Sequence, residues 1–121
     1  MTDLEATARE KGIRFFLISF TDILGVQRAK LVPAQAIAEM SVAGAGFAGF
    51  AAWLDMSPAD ADILAIPDPA SLIQLPWKPE VGWLAADVHF EGAPLAKAPR
   101  VVLQSVMARA AAQDIHMKHG V

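Results

Sequence analysis

The chain has 121 residues and a mass of 12.9 kDa, enough for one domain with a single modest core and too little for a complete multi-substrate enzyme. Its formal charge of −3 and pI near 5.5, with ten scattered Lys and Arg, provide no basic field, which argues against a nucleic-acid partner. The absence of cysteine removes disulfides, thiolate metal sites and thiol catalysis together, and fits a reducing, cytoplasmic setting.

The N-terminus, MTDLEATAREKG, is polar and acidic where an export signal is basic and then apolar. Thr2 and Glu5 stand in the relation of a capping box, and Gly12 is placed to close the helix they open. Residues 13–22, IRFFLISFTD, are short and rich in Phe, Ile and Leu, which predicts a largely buried strand. A turn over residues 22–25 leads into VQRAKLVP, whose alternation predicts a hairpin partner with Ala29 and Leu31 on one face and Arg28 and Lys30 on the solvated one. Pro33 ends that strand and suits the first position of a helix over residues 34–40, which the Gly-rich stretch at Gly44 stops.

A loop is expected next, then short strands at residues 63–66 and 71–76. Residues 81–90 carry the cleanest alternation in the chain, with Leu84, Ala86, Val88 and Phe90 opposite Trp83, Asp87 and His89. APLAKAPR, residues 93–100, has the composition of a linker. From Val101 a helical spacing puts Leu103, Val106, Met107 and Ala110 on one stripe that lacks a partner, so the native chain is expected to continue beyond Val121.

Most of the chemically suggestive side chains lie in residues 44–68, GAGFAGFAAWLDMSPADADILAIPD. Gly44, Gly46 and Gly49 spell G-x-G-x-x-G, with Asp68 where an acidic residue on a ribose would fall. In a dinucleotide fold such glycines come after a strand and open a long helix, whereas here a predicted helix precedes them and Pro58 cuts short any helix they could open. Asp55, Asp60, Asp62 and Asp68 could hold a hard cation, but counting from Asp60 the EF-hand positions for Gly and Glu hold Ala65 and Ser71, so turn and cap roles are favoured. His116 and His119 lack a third metal ligand, and His89 is expected to be solvated. Trp53, Trp77 and Trp83 read as core or interface anchors. The apolar run over residues 42–54 is about thirteen residues long against the roughly twenty that span a bilayer, so no membrane role is expected. No Ser/His/Asp or Cys/His arrangement is present, so no catalytic residue and no metal ligand is assigned within the chain.

Three blocks taken in order carry a resemblance. Phe20-Thr21-Asp22 with Gly25 and Pro33, then Asp62 leading to Ile66-Pro67-Asp68, then Ala98-Pro99-Arg100 before a helix, resemble the N-terminal domain of the glutamine synthetase family. AGFAGFAAWLD and SLIQLPWKPEVGWLAAD are most similar to its type III branch, which includes γ-glutamylmethylamide synthetase-like ligases. The resemblance implies an α+β fold, a β-grasp or ubiquitin-like roll with a crossing helix over residues 1–98, followed in residues 99–121 by the first helix of a missing catalytic domain. It also implies that the full-length parent joins an amine to the side-chain carboxylate of glutamate through a γ-glutamyl phosphate, using ATP with Mg or Mn that the fragment alone does not bind.

In that family the N-terminal domain inserts a loop, typically F-D-G-S-S, across a subunit interface into the catalytic domain of an adjacent subunit, where its aspartate helps bind ammonium and take its proton. Aligned on both flanking motifs, the loop falls here on Phe47-Ala48-Gly49-Phe50-Ala51, and the aspartate is replaced by Ala48. Loss of that carboxylate favours a small alkylamine over ammonia. Asp55 is a rival candidate if the loop is shifted. Two other classes stand beside this one: a free-standing β-grasp interaction module without catalysis, which predicts no catalytic domain downstream, and nucleotide binding by the Gly-rich stretch, which predicts NAD binding.

Overall fold

The computed structural model describes residues 3–52 and 54–118. It opens with helix α1 (Leu4–Lys11), whose N-cap is Asp3: the carboxylate accepts from the N–H groups of Glu5 and Ala6 at 3.0 and 3.1 Å. The expected capping box placed that role on Thr2, which lies outside the described residues. Gly12 closes the helix as expected, with φ at +69° and open space where a Cβ would stand.

Strand β1 (Phe15–Thr21) pairs antiparallel with β2 (Gln27–Pro33), and the register corrects the face expected for β2. Phe16, Ile18 and Phe20 point into the core, and their cross-strand neighbours are Val32, Lys30 and Arg28. Arg28 and Lys30 therefore share the core-side face of the strand, Arg28 half-buried and Lys30 reaching its exposed edge, while Leu31, on the other face, is left exposed. Long cationic side chains do this by lying along apolar surface with the charge at its edge: Lys30 Nζ sits 5.0 Å over the Phe47 ring.

A 3-10 turn over Ala34–Ala36 continues into helix α2 (Ile37–Ala43). Gly44 ends it with φ at +79°, packed so closely on residues 64–66 that an added Cβ would lie 2.8 Å from Ile66 Cδ1 and 3.0 Å from Leu64 Cβ. The stretch expected to be loop contains a short strand, β3 (Ala45–Phe47), and a 3-10 turn over Gly49–Ala52. Strand β4 (Ile63–Pro67) pairs with β3 and leads to a third 3-10 turn, Pro69–Ser71, capped by the Asp68 carboxylate. Only Ile73–Gln74 of the strand expected over residues 71–76 is extended (β5).

Strand β6 (Val81–Phe90) is the spine. It runs parallel to β1 through its first half and antiparallel to β4 through its second, giving the order β2-β1-β6-β4-β3. Both its edges are occupied, since Trp83 lies between Leu17 and Ile73, and His89 between Leu64 and Pro94. The strand at Ala93–Pro94 (β7) turns part of the expected linker into a hairpin. The core gathers on one face, where Leu84, Ala86 and Val88 of β6 join Phe16, Ile18, Ile63 and Ala65 beneath Leu4, Ala8 and Ile37 of the helices. Gly82 makes room there: a Cβ would stand 3.0 Å from the Phe16 ring and 2.9 Å from Leu72 Cδ1. A mixed sheet with parallel central strands and with α1 and α2 on one face is the α+β, β-grasp-like architecture expected from the sequence.

Helix α3 (Pro99–Ala111) starts two residues earlier than the Val101 its apolar spacing indicates, with Pro99 at the first turn. Val102, Leu103, Val106 and Met107 on it are exposed, and none of its residues is fully buried. Among the described residues no helix is long and apolar enough to cross a membrane.

Candidate functional site

Phe47-Ala48-Gly49-Phe50-Ala51 forms one structural unit at the end of β3. Phe47 pairs with Ile63 across the sheet and meets Phe20 edge to face, with centroids 5.0 Å apart and planes at 88°. That contact fixes where the unit leaves the sheet. Gly49 is buried, and a Cβ there would overlap Met56 Sδ and stand 3.1 Å from Ile63 Cγ2, so only glycine lets the 3-10 turn lie this close to the sheet. The turn carries Phe50 outward to 46% exposure and Ala51 beside it, while Ala52 and Leu54 return to the core.

Two depressions flank the unit. An open groove of about 270 Å³ has Phe20, Arg28, Ala29, Phe47, Ala48 and Ala51 among its walls. A shallower basin joins Phe50, Ala51, Asp55, Met56 and Pro58 to Ile23 at the tip of the β1–β2 hairpin. Phe50, Ile23, Leu24 and Val26 are all exposed, so loop and hairpin tip together present apolar surface. A separate groove of about 520 Å³ between α1 and the end of β2 shares no residue with the loop, and Glu5 and Arg9 on its rim are already paired with each other at 3.1 Å.

The hairpin tip is rigidified by a buried carboxylate. Asp22, 1% exposed, accepts from the N–H groups of Leu24 and Val26 at 2.9 Å and from Arg28 Nε at 2.8 Å. Burial alone would raise its pKa, but the Val26 N–H, the Arg28 guanidinium and the Leu24 N–H outweigh that and hold it below the usual carboxylate range.

Asp55 is close to the loop but does not face the groove beside Ala48. Its backbone is left-handed, with φ at +52°, and its side chain is 96% exposed. Lys97 Nζ donates to the Asp55 carbonyl at 3.0 Å and lies 3.4 Å from its carboxylate. Asp60 and Asp68 are turn and cap residues. Asp60 accepts from Ser57 N–H at 2.6 Å, which lowers its pKa, and Asp68 caps the turn after β4. The three glycines of the G-x-G-x-x-G string end a helix, sit inside a strand and open a four-residue turn, an arrangement that points no long helix at a phosphate. Among the described residues no group of three or more His, Asp or Glu converges as a metal site. His89 is half-buried with Nδ1 3.2 Å from the Asp87 carbonyl, and Trp77 is 80% exposed, not a core anchor. Trp53, His119, Gly120 and Val121 lie outside the described residues.

The sequence reading missed one cluster. Arg100, in the first turn of α3, donates from Nε to Asp87 at 2.7 Å and from Nη2 to Asp68 at 2.5 Å, and Gln104 adds a 3.0 Å bond to Asp87. Two of the blocks that carried the resemblance, Ile66-Pro67-Asp68 and Ala98-Pro99-Arg100, thus meet in space. Their charges of opposite sign were visible, but no spacing rule joins residues 32 apart in the chain.

No protein-family model matches the chain. A glutamine synthetase from Rhizobium meliloti (strain 1021) is 56% identical over 119 residues, covering 98% of this chain and 27% of the relative. A glutamate–methylamine ligase from Methyloversatilis universalis is 40% identical over 98 residues, 79% of this chain and 22% of that one. A solved structure of GmaS in complex with ADP superimposes with a TM-score of 0.92 at 83% identity, over 94% of this chain and 26% of that chain. The chain thus spans about a quarter of the length of the curated relatives it matches. With this identity over nearly its whole length and this agreement in fold, the chain matches the N-terminal domain of the glutamine synthetase family, in its γ-glutamylmethylamide synthetase-like branch.

Proposed function

We propose that the chain is the N-terminal domain of an ATP-dependent ligase that joins a small amine to the side-chain carboxylate of glutamate. Phe47-Ala48-Gly49-Phe50-Ala51 forms the amine-side wall of an adjacent subunit's active site. The observation that carries this reading is the loop itself: a turn with no ionisable side chain, fixed at its root by the Phe20–Phe47 contact and at Gly49, and presenting Phe50 outward. Such a surface suits burial against another subunit's cleft. The likeness to both glutamine synthetases and a glutamate–methylamine ligase supports the substrate class.

An amine with an alkyl group fits this wall better than ammonium does. Ala48 offers no carboxylate to pair with a cation or take its proton, whereas each methylene buried against Phe47 or Phe50 is worth about 0.8 kcal/mol. In the parent, ATP and Mg or Mn would be held by the catalytic domain, where ATP would give its γ-phosphoryl group to the glutamate side-chain carboxylate and leave as ADP, the metal screening the phosphates. This domain's own part is to shape and dry the amine subsite. Asp55, turned to solvent and held by Lys97, is the alternative source of a carboxylate.

Steady-state kinetics of the full-length enzyme with methylamine and ammonium test the reading. A larger kcat/KM for methylamine is expected, and a larger value for ammonium refutes it. A loss of rate by orders of magnitude in Asp55→Ala would move the role to that residue.

A further inference from the structure

We infer that Arg100 is a positioning residue: its two ion pairs set the direction in which α3 leaves the sheet, and through it the placement of the amine-side loop relative to the rest of the enzyme. The inference rests on the amine-side role proposed for the loop. Three observations carry it.

First, within this chain the contacts of α3 with the sheet are concentrated at its start, where Ala98 is buried, Val101 is half-buried, and Pro99, Arg100 and Leu103 stand against Ser19, Trp83 and Ala85. Second, Arg100 reaches two different elements at once. Asp87 lies on β6 and Asp68 ends β4, so a planar guanidinium with one nitrogen on each fixes two angles where a single ion pair fixes one. Gln104, one turn on, repeats the Asp87 contact at 3.0 Å. Third, the anchor points are mechanically joined to the loop. Asp68 comes directly after β4, β4 holds β3 through the Phe47–Ile63 pair, and the loop begins at Phe47. The segment just before α3 is tied to the chain four residues beyond the loop, through Lys97 on the Asp55 carbonyl. A change in the angle of α3 is therefore a change in where the loop sits relative to the part of the enzyme that α3 leads into.

All three charged groups are about a third exposed, so the cluster's role is geometric more than a large store of stability. Lysine is a poor substitute, because one ammonium cannot span both carboxylates in the same fork.

The test uses the full-length enzyme with Arg100→Ala, Arg100→Lys and, as a control for the loop, Phe50→Ala, reading the KM of each substrate and amide hydrogen exchange in α3. Misplacing a subsite wall by a fraction of its width is expected to raise the amine KM about tenfold in Arg100→Ala, with the KM values for ATP and glutamate unchanged. Faster exchange is expected in the first two turns of α3, and Arg100→Lys is expected to recover only part of either effect. A purely structural role would lower kcat through loss of folded enzyme and leave every KM alone. The inference is overturned if exchange in α3 is unchanged. It is also overturned if Phe50→Ala raises the amine KM while Arg100→Ala leaves it unmoved. If Phe50→Ala is silent, the reading of the loop fails, and an amine KM that still rises in Arg100→Ala keeps the positioning role while an unmoved one ends it.

Discussion

Replacing Gly49 by alanine probes the closest packing in the candidate site. The added carbon overlaps Met56 Sδ and falls 3.0 Å from Met56 Cε and 3.1 Å from Ile63 Cγ2. Met56 is half-buried and unbranched, so its thioether can swing away at modest cost. Ile63 is fully buried on a paired strand and can yield only a few tenths of an ångström before β4 moves. Overpacking of this kind costs about 1–3 kcal/mol. Gly49 has no positive φ, so alanine also returns about 0.4–1 kcal/mol by restricting the unfolded chain. The net expectation is a destabilisation of about 1–2 kcal/mol, seen as a melting temperature lowered by roughly 4–10 °C. Urea denaturation of the 121-residue chain measures it, and the double variant Gly49→Ala/Met56→Ala provides the internal check. With the sulfur gone, the alanine at position 49 is expected to cost about 1 kcal/mol less than it does beside Met56. A Gly49→Ala chain as stable as the parent, or a double variant in which the two costs simply add, refutes the packing argument.

The loop and the hairpin each carry a further expected outcome. Ala48→Asp places a carboxylate on the loop, and in the full-length enzyme kcat/KM for ammonium is expected to rise about tenfold relative to that for methylamine; an unchanged ratio removes Ala48 from the amine subsite. Asp22 has a lowered folded pKa, so its contribution to stability is complete above the unfolded value of about 3.9 and is lost as pH falls through the folded one. Urea midpoints from pH 6 down to pH 2 are therefore expected to drop more steeply for the parent than for Asp22→Asn, and parallel curves would show that the Arg28 pair adds nothing.

What could be read from the sequence depended on the range over which each signal acts. Gly12 and Gly44 ended their helices where expected, because a left-handed or otherwise open backbone is a property of one residue. The alternation of residues 81–90 identified the spine for a similar reason: one face of a strand is either buried or not. For β2 the alternation was read correctly and its sign was not. Arg28 and Lys30 look like a solvated face until the register sets them beside Phe20 and Ile18. The strand at Ala45–Phe47 was invisible because three residues, two of them the small Ala45 and Gly46, are too few to show a period, and it exists only because Ile63 to Ala65 offer it an edge. The candidate loop was located through the family resemblance alone, since nothing local marks it. The Arg100 cluster escaped because its members lie on three separate elements.

The pairing of Phe15 with Val81 has a consequence for how the chain acquires its structure. The hairpin of β1 and β2 and the short ladder of β3 and β4 are each made near in sequence, yet the two meet only across β6, which emerges from synthesis last among the long strands. Until Val81 to Phe90 arrive, β1 offers an unpaired edge beside Phe16 and Phe20, an apolar template open to wrong partners. Contacts so distant along the chain slow folding, and the domain is expected to assemble in one late step, with the nascent chain most in need of protection while the residues between β4 and β6 are still being made.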